Sequence, residues 1–287
     1  MTSANTDAFP IVCLNGEFLP AHQARVSIFD RGFLYGDSVF ETLRVARGEL
    51  CWWTAHAERL ETGSAGLGFA GVPGRAELRC WADELIRRNA ATEALLRLTI
   101  SRGPGPRGYN PRGAGPPTVA LTLHPAPECR PGRPTAWRLI TSQYRLPTDG
   151  PLTRVKHGAR LLQVVARAEA DAAGVEDALL LDAAGGAVET TGANLFWLAE
   201  GKLGTPPLSS GVLPGITRAR LLALAPGLGR PVVEMSILPE ELRQAQAVFL
   251  TLTSRGLVEV VELDGRPLGR SPDTAAQLHR ALQPGDV

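Results

Sequence analysis

Twice within its first 53 residues the chain writes a strand, a tight turn and a second strand. "IVCLNGEFLP" turns at Asn15-Gly16, and "SVFETLRVARGELCWW" turns at "RGE". Such hairpins commit the chain to antiparallel pairing, and helical spacing follows them. "TAHAERLETGSAGLGF" reads as a helix with Thr54 at its N-cap, and "RAELRCWADELIRRNA" as an amphipathic helix with Leu78, Trp81, Leu85 and Ile86 on one face. "ALLRLTISRG" and "PTVALTLHP" read as strands flanking a Gly/Pro-rich loop. The stretch "APECRPGRP", residues 126–134, has the composition of a linker between domains.

Beyond it, "TAWRLITSQYRL" alternates as a strand, and the segment from Lys156 through "GARLLQVVARAEADAAG" reads as a helix ending at Gly174. "DALLLDAAGGAVETTGANLFWLAEGKLGTP" reads as a three-strand meander. A helix at "GITRARLLALA", a helix running into a strand at "ELRQAQAVFLTLTS" and a closing helix at "DTAAQLHRALQ" complete the pattern. The expected fold class is α/β of the α+β type. One domain spans residues 1–125, a linker 126–134, and a second domain 135–287.

Bulk properties narrow the partners. At 287 residues the chain has room for two cores, and a formal net charge of +1 argues against nucleic acid or a membrane surface held by bulk electrostatics. Cys13, Cys51, Cys80 and Cys129 lie far apart without CxxC spacing, so neither a metal site nor a disulfide framework is expected. "MTSANTDAF" lacks the features of a signal peptide, and no apolar run reaches membrane-spanning length. A reduced, soluble, cytoplasmic protein is expected.

"GPGPRG", residues 103–108, formally fits a dinucleotide fingerprint. That reading needs a helix to follow, and Pro104, Pro106 and Pro111 forbid one. The loop either presents Arg107 and Tyr109 to a ligand or is an exposed crossover.

Among 30 basic residues only Lys156 and Lys202 are lysines. Lys202, in the "EGK" turn, reads as a surface charge. Lys156 is either a lysine at a helix start or a nucleophile. An amine that must shed its proton and attack a carbonyl cannot be replaced by a guanidinium, and the neighbouring Arg154, His157 and Arg160 disfavour the ammonium form. Gly215-Ile216-Thr217, where a helix begins, is either an ordinary cap or an anion site of backbone N–H groups and a hydroxyl. Thr253 and Ser254 form a second hydroxyl cluster at a strand end. Glu189 interrupts an apolar meander, either as a solvated strand residue or as the partner of a cationic ring nitrogen. Read jointly, these features ask for a ligand with an aldehyde, a phosphate and a basic ring nitrogen, which pyridoxal phosphate has.

In sequence order, "FDRGFLYGDSVFETLRV", "HAERL", "VKHGARLLQVV", "ETTGANLFWL", "LPGITR" and "TLTSRG" resemble the class IV aminotransferase family of pyridoxal-phosphate enzymes, over essentially the whole chain. The resemblance implies fold-type IV: two mixed α/β domains, the cofactor in the cleft between them, and a homodimer. It implies that Lys156 forms the Schiff base and moves the substrate proton, and that Glu189 holds the pyridine nitrogen protonated. Arg59, Gly215, Ile216, Thr217 and Thr253 would hold the phosphate. Phe40, Arg44, Arg107 and Tyr109 would face an amino-acid-like substrate. Within the family, "TISRGPGPRGYNPRG" and "ANLFW" look most like 4-amino-4-deoxychorismate lyase. D-amino-acid and then branched-chain aminotransferases are the alternatives, and Leu252 stands where some lyases carry asparagine. A binding protein that uses the ligand without catalysis remains a third reading, and would not need the amine of Lys156.

Overall fold

A computed structural model of the chain describes residues 8–283. The chain forms two compact units. Among the described residues, the first comprises the chain up to Pro127 together with Val155–Arg160, and the second comprises Glu128–Arg154 and the chain from Leu161 to residue 283. The first division between them falls after Pro127. The transfer of Val155–Arg160 to the first unit was not foreseen from the linear order.

In the first unit the elements are β1 (Ile11–Leu14), β2 (Glu17–Pro20), α1 (Arg31–Tyr35), β3 (Ser38–Ala46), β4 (Glu49–Leu50), α2 (Trp53–Gly66), α3 (Arg75–Arg88), β5 (Glu93–Ser101) and β6 (Thr118–Pro125). Six strands form one antiparallel sheet in the order β2-β1-β6-β5-β3-β4. The turn between β1 and β2 uses Asn15 at φ 52° and Gly16 at φ 84°, the left-handed pair a two-residue hairpin needs. One sheet face, with Leu43, Val45, Leu96, Leu98, Ile100 and Leu121, is buried against Leu60 of α2 and Leu78, Ala82 and Leu85 of α3. Thr54 is not the N-cap of α2. The hairpin β3–β4 ends with the Cys51 N–H on the Arg44 carbonyl, and Trp52, at φ 56°, turns the chain directly into the helix.

β4 pairs only with Val45 and Ala46, which leaves the edge of β3 from Ser38 to Arg44 open. Val155–Arg160 covers it. The Phe40 N–H donates to the Lys156 carbonyl at 2.9 Å, and the Gly158 N–H donates to the Ser38 carbonyl at 2.7 Å. A methyl at Gly158 would lie 2.0 Å from Ser38 Oγ, so a glycine is required for this approach. Lys156 is therefore held on extended backbone, and the helix expected to begin there starts five residues later.

The second unit contains β7 (Thr135–Arg145), α4 (Leu161–Ala172), β8 (Asp177–Leu181), β9 (Ala187–Thr190), β10 (Asn194–Ala199), β11 (Lys202–Thr205), α5 (Ile216–Leu224), β12 (Val232–Glu234), α6 (Pro239–Leu242), β13 (Ala247–Leu252), β14 (Gly256–Leu263), β15 (Arg266–Pro267) and α7 (Pro272–Ala281). The stretch read as a three-strand meander holds four strands, β8 to β11. The sheet runs β12-β11-β10-β13-β14-β7-β8-β9, with β7 parallel to both β14 and β8. β9 pairs again with β10 at Glu189–Asn194, so six strands close into a ring. Leu139, Leu179, Ala187, Leu195, Val248, Leu250 and Val258 share its buried inner face. Outside, Phe196 and Phe249 pack with Leu221 of α5 and Leu278 of α7. Among the described residues no helix is long and apolar enough to cross a membrane.

Candidate active site

On the first unit, β3 sends Leu43 and Val45 to the core and Phe40, Thr42 and Arg44 to the opposite face. Lys156, held along the edge of that strand, places Nζ 4.6 Å from the centre of the Phe40 ring. The guanidinium of Arg97, from β5, stacks 3.8 Å from the same ring, and that of Arg160 lies at 6.0 Å. An aromatic face flanked by cations suits a substrate with an apolar body and a carboxylate.

Arg97 is half-buried and faces no carboxylate among the described residues, so burial lowers its pKa without compensation from an anion. It was not singled out in the sequence. The available signal was one cation inside the otherwise apolar "ALLRLTIS". Arg44 shares the face but is tied to Glu93 and to the Pro127 carbonyl. Arg107 and Tyr109 sit on an exposed loop, Tyr109 being 87% exposed. Buried Arg31 shapes that loop by donating to the carbonyls of Gly108, Tyr109 and Asn110. Thus Phe40, Arg44 and Lys156 share one surface, whereas Tyr109, on its exposed loop, packs its ring against Tyr35.

Behind the Phe40 face, Glu41 turns the other way and is 1% exposed. It accepts two hydrogen bonds from Arg59, at 2.7 and 2.6 Å, and one from His56 Nδ1 at 2.7 Å. Burial alone would raise its carboxyl, but these donors outweigh that and hold it at about 2. Arg59 is thereby fixed in a fork by a partner that sequence reading did not identify. Burial also lowers the His56 pKa, against the raising effect of Glu41. Beside Lys156, His157 is held at about 4, by burial first and Arg160 second.

On the second unit, Glu189 is aimed by a β-bulge. Leu181 pairs with Ala187 but Leu180 pairs with Glu189, so β9 carries one extra residue. The extra residue turns Glu189 away from the inner face that Ala187 occupies, onto the face of Asn194. The buried carboxylate accepts from Asn194 Nδ2 at 3.1 Å and from the Leu213 N–H at 3.2 Å. Asn194 also donates to the Leu213 carbonyl, which fixes the segment leading into α5.

Gly215 is the N-cap of α5 and supplies no side-chain cap, so Gly215-Ile216-Thr217 presents the helix's first N–H groups. A methyl at Gly215 would lie 1.9 Å from Asn194 Oδ1. The Thr217 hydroxyl is buried without a hydrogen-bond partner, and so is that of Thr251 on β13, another residue not foreseen. Thr253 follows β13 in the turn and is half-buried. Two unpaired buried hydroxyls, open helix N–H groups and a desolvated carboxylate fit a ligand that carries both a phosphate and a protonatable ring nitrogen. Pyridoxal phosphate, which carries both groups, passes this test.

Residues 38–263 match the family model for amino-transferase class IV. A putative branched-chain-amino-acid aminotransferase of Methanocaldococcus jannaschii is 37% identical over 255 residues, covering 89% of this chain and 88% of that protein. The aminodeoxychorismate lyase of Vibrio harveyi is 32% identical over 266 residues, covering 91% and 95%. Among solved structures, the T.th. branched-chain amino acid aminotransferase complexed with N-(5'-phosphopyridoxyl)-L-glutamate superposes with a TM-score of 0.86 at 28% identity, covering 95% of this chain and 92% of that one.

Proposed function

Since the chain belongs to the class IV aminotransferases, fold-type IV enzymes that depend on pyridoxal phosphate, we propose that it is an aminodeoxychorismate lyase. It would convert 4-amino-4-deoxychorismate to 4-aminobenzoate and pyruvate. The observation that carries the catalytic part is Lys156, an amine fixed by backbone pairing over the face of Phe40. The cofactor supplies an electron sink for the negative charge left at the carbon bearing the substrate amine.

The chain's own groups do the rest. Lys156 would hold the cofactor through its amine, and its free amine would take the proton from that carbon. Glu189 would keep the ring nitrogen protonated. Ile216, Thr217 and Thr253 would hold the phosphate, and Arg59, clamped by Glu41, is proposed as a further phosphate contact. Arg97 and Arg44 face the substrate, with Arg97 pairing one of its carboxylates. Loss of that proton and cleavage of the C–O bond to the enolpyruvyl group would leave an aromatic ring, and the same proton, returned to the methylene carbon of the released enolate, would give pyruvate.

The likeness to the Vibrio lyase across nearly both chains, and the "GPGPRGY" loop that Arg31 holds, support the lyase reading. The 37% identity to the Methanocaldococcus protein favours amino transfer as the second reading. We place the enzyme in the cytoplasm as a homodimer. Val26, Ile28, Phe29, Phe33 and Leu34 are all exposed within nine residues, a concentration of apolar surface that a second copy would cover. The deciding experiment supplies 4-amino-4-deoxychorismate to the holoenzyme and follows 4-aminobenzoate by fluorescence and pyruvate by a coupled assay. Equal amounts of both products support the lyase. Neither product, with keto-acid formation from D-alanine or a branched-chain amino acid, assigns amino transfer.

A further inference from the structure

Thr251 and Thr217 are the two buried threonines whose hydroxyls have no hydrogen-bond partner among the described residues, at 1% and 2% exposure. An unpaired buried hydroxyl costs stability unless something else satisfies it. The two residues are brought to the same place by matched steps along two packed elements. α5 packs on β13, with Leu221 and Phe249 in one apolar cluster. Thr217 precedes Leu221 by four residues, so it lies on the same helix face about 6 Å toward the N-terminus. Thr251 follows Phe249 by two residues, so it lies on the same strand face about 7 Å toward the C-terminus.

Asn194 fixes the sense of these steps. It is the cross-strand partner of Thr251, and its Oδ1 sits against Gly215 at the N-cap of α5. The end of β13 that carries Thr251 is therefore the end at which α5 begins. These steps bring Thr251 and Thr217 toward the same end of α5, and neither hydroxyl bonds the other.

We infer that Thr251 is a second hydroxyl donor to the oxyanion bound at the start of α5, which is the cofactor's phosphate. This rests on the pyridoxal-phosphate reading above and adds to it a residue inside the strand, two positions before Thr253. The hydroxyl donates to a phosphate oxygen, and its desolvation is met only when the anion is bound.

The test separates phosphate grip from ring grip and from covalent attachment. Dissociation constants of pyridoxamine 5'-phosphate and of pyridoxamine are measured by fluorescence for the wild type, Thr251→Val, Thr251→Ala and Thr251→Ser, with the thermal midpoint of each protein recorded. Thr251→Val and Thr251→Ala should bind pyridoxamine 5'-phosphate about tenfold more weakly, the scale of one lost hydrogen bond to a charged group. Both should bind pyridoxamine as the wild type does, and Thr251→Ser should retain the phosphate preference. An unchanged phosphate preference in both hydroxyl-less variants, or equal weakening toward both probes, overturns the role of Thr251 and leaves the cofactor reading intact. A wild type that binds neither probe overturns the cofactor reading, and this assignment with it.

Discussion

Phe40 and Lys156 are joined twice. The Phe40 N–H donates to the Lys156 carbonyl at 2.9 Å, and the Lys156 amine lies 4.6 Å from the centre of the Phe40 ring. The first contact fixes the backbone of a residue that precedes its helix by five positions. The second gives its side chain an aromatic floor. Position and environment of the amine thus come from one strand edge, which explains why a short, non-helical segment can carry the central residue of the site.

Glu189→Gln should keep the two hydrogen bonds in a rearranged form but lose the charge. The purified variant is expected to retain cofactor absorbance while kcat falls roughly a hundredfold, the scale of losing one preorganised electrostatic contact. A rate equal to wild type, measured at saturating cofactor, would remove Glu189 from the mechanism.

Arg97→Ala should act on substrate binding. If its guanidinium pairs a carboxylate in ground and transition states alike, KM rises roughly tenfold to a hundredfold with kcat little changed. Arg107→Ala, on the exposed loop, should have the smaller effect of the two. Steady-state kinetics of both variants decide this, and a fall in kcat alone for Arg97→Ala would contradict the role.

Acid should destabilise the fold in two steps. His157 stays neutral in the native state down to about 4, whereas an ordinary histidine in the unfolded chain charges below about 6.5. The unfolded state binds more protons between these values, so stability falls as pH drops through that window. His56, lowered by burial, acts in the same direction. Glu41 titrates at about 2, so its contribution is present above about 4.5 and is lost as pH falls from there toward 2. Urea midpoints at pH 7, 5.5 and 4 should decline, and less steeply for His157→Asn. Parallel declines for the two proteins would exclude His157 as a source.

What could be read in the sequence was local. The Asn15-Gly16 hairpin, the α3 face of Leu78, Leu85 and Ile86, and the start of α5 at Gly215 depend on residues within a few positions of one another. What escaped depends on tertiary pairing. Lys156 looked helical because the pattern after it is helical, and only the open edge of β3 holds it extended. The bulge that aims Glu189 appears in no periodicity, since it is a property of two strands in register. Glu41, Asn194 and Thr251 resemble ordinary strand residues until their partners, or the absence of one, are seen. Arg97 was marked only by standing in an apolar strand.

The central claim is that Lys156 carries the cofactor, and the chain offers only one rival lysine, exposed Lys202 at the start of β11. Borohydride reduction of the pyridoxal-phosphate-loaded protein, followed by peptide mass spectrometry, tests it most directly. The phosphopyridoxyl mass should appear on the peptide containing Lys156 and be absent from Lys202. Labelling of Lys202 in place of Lys156, or of neither, would contradict the account.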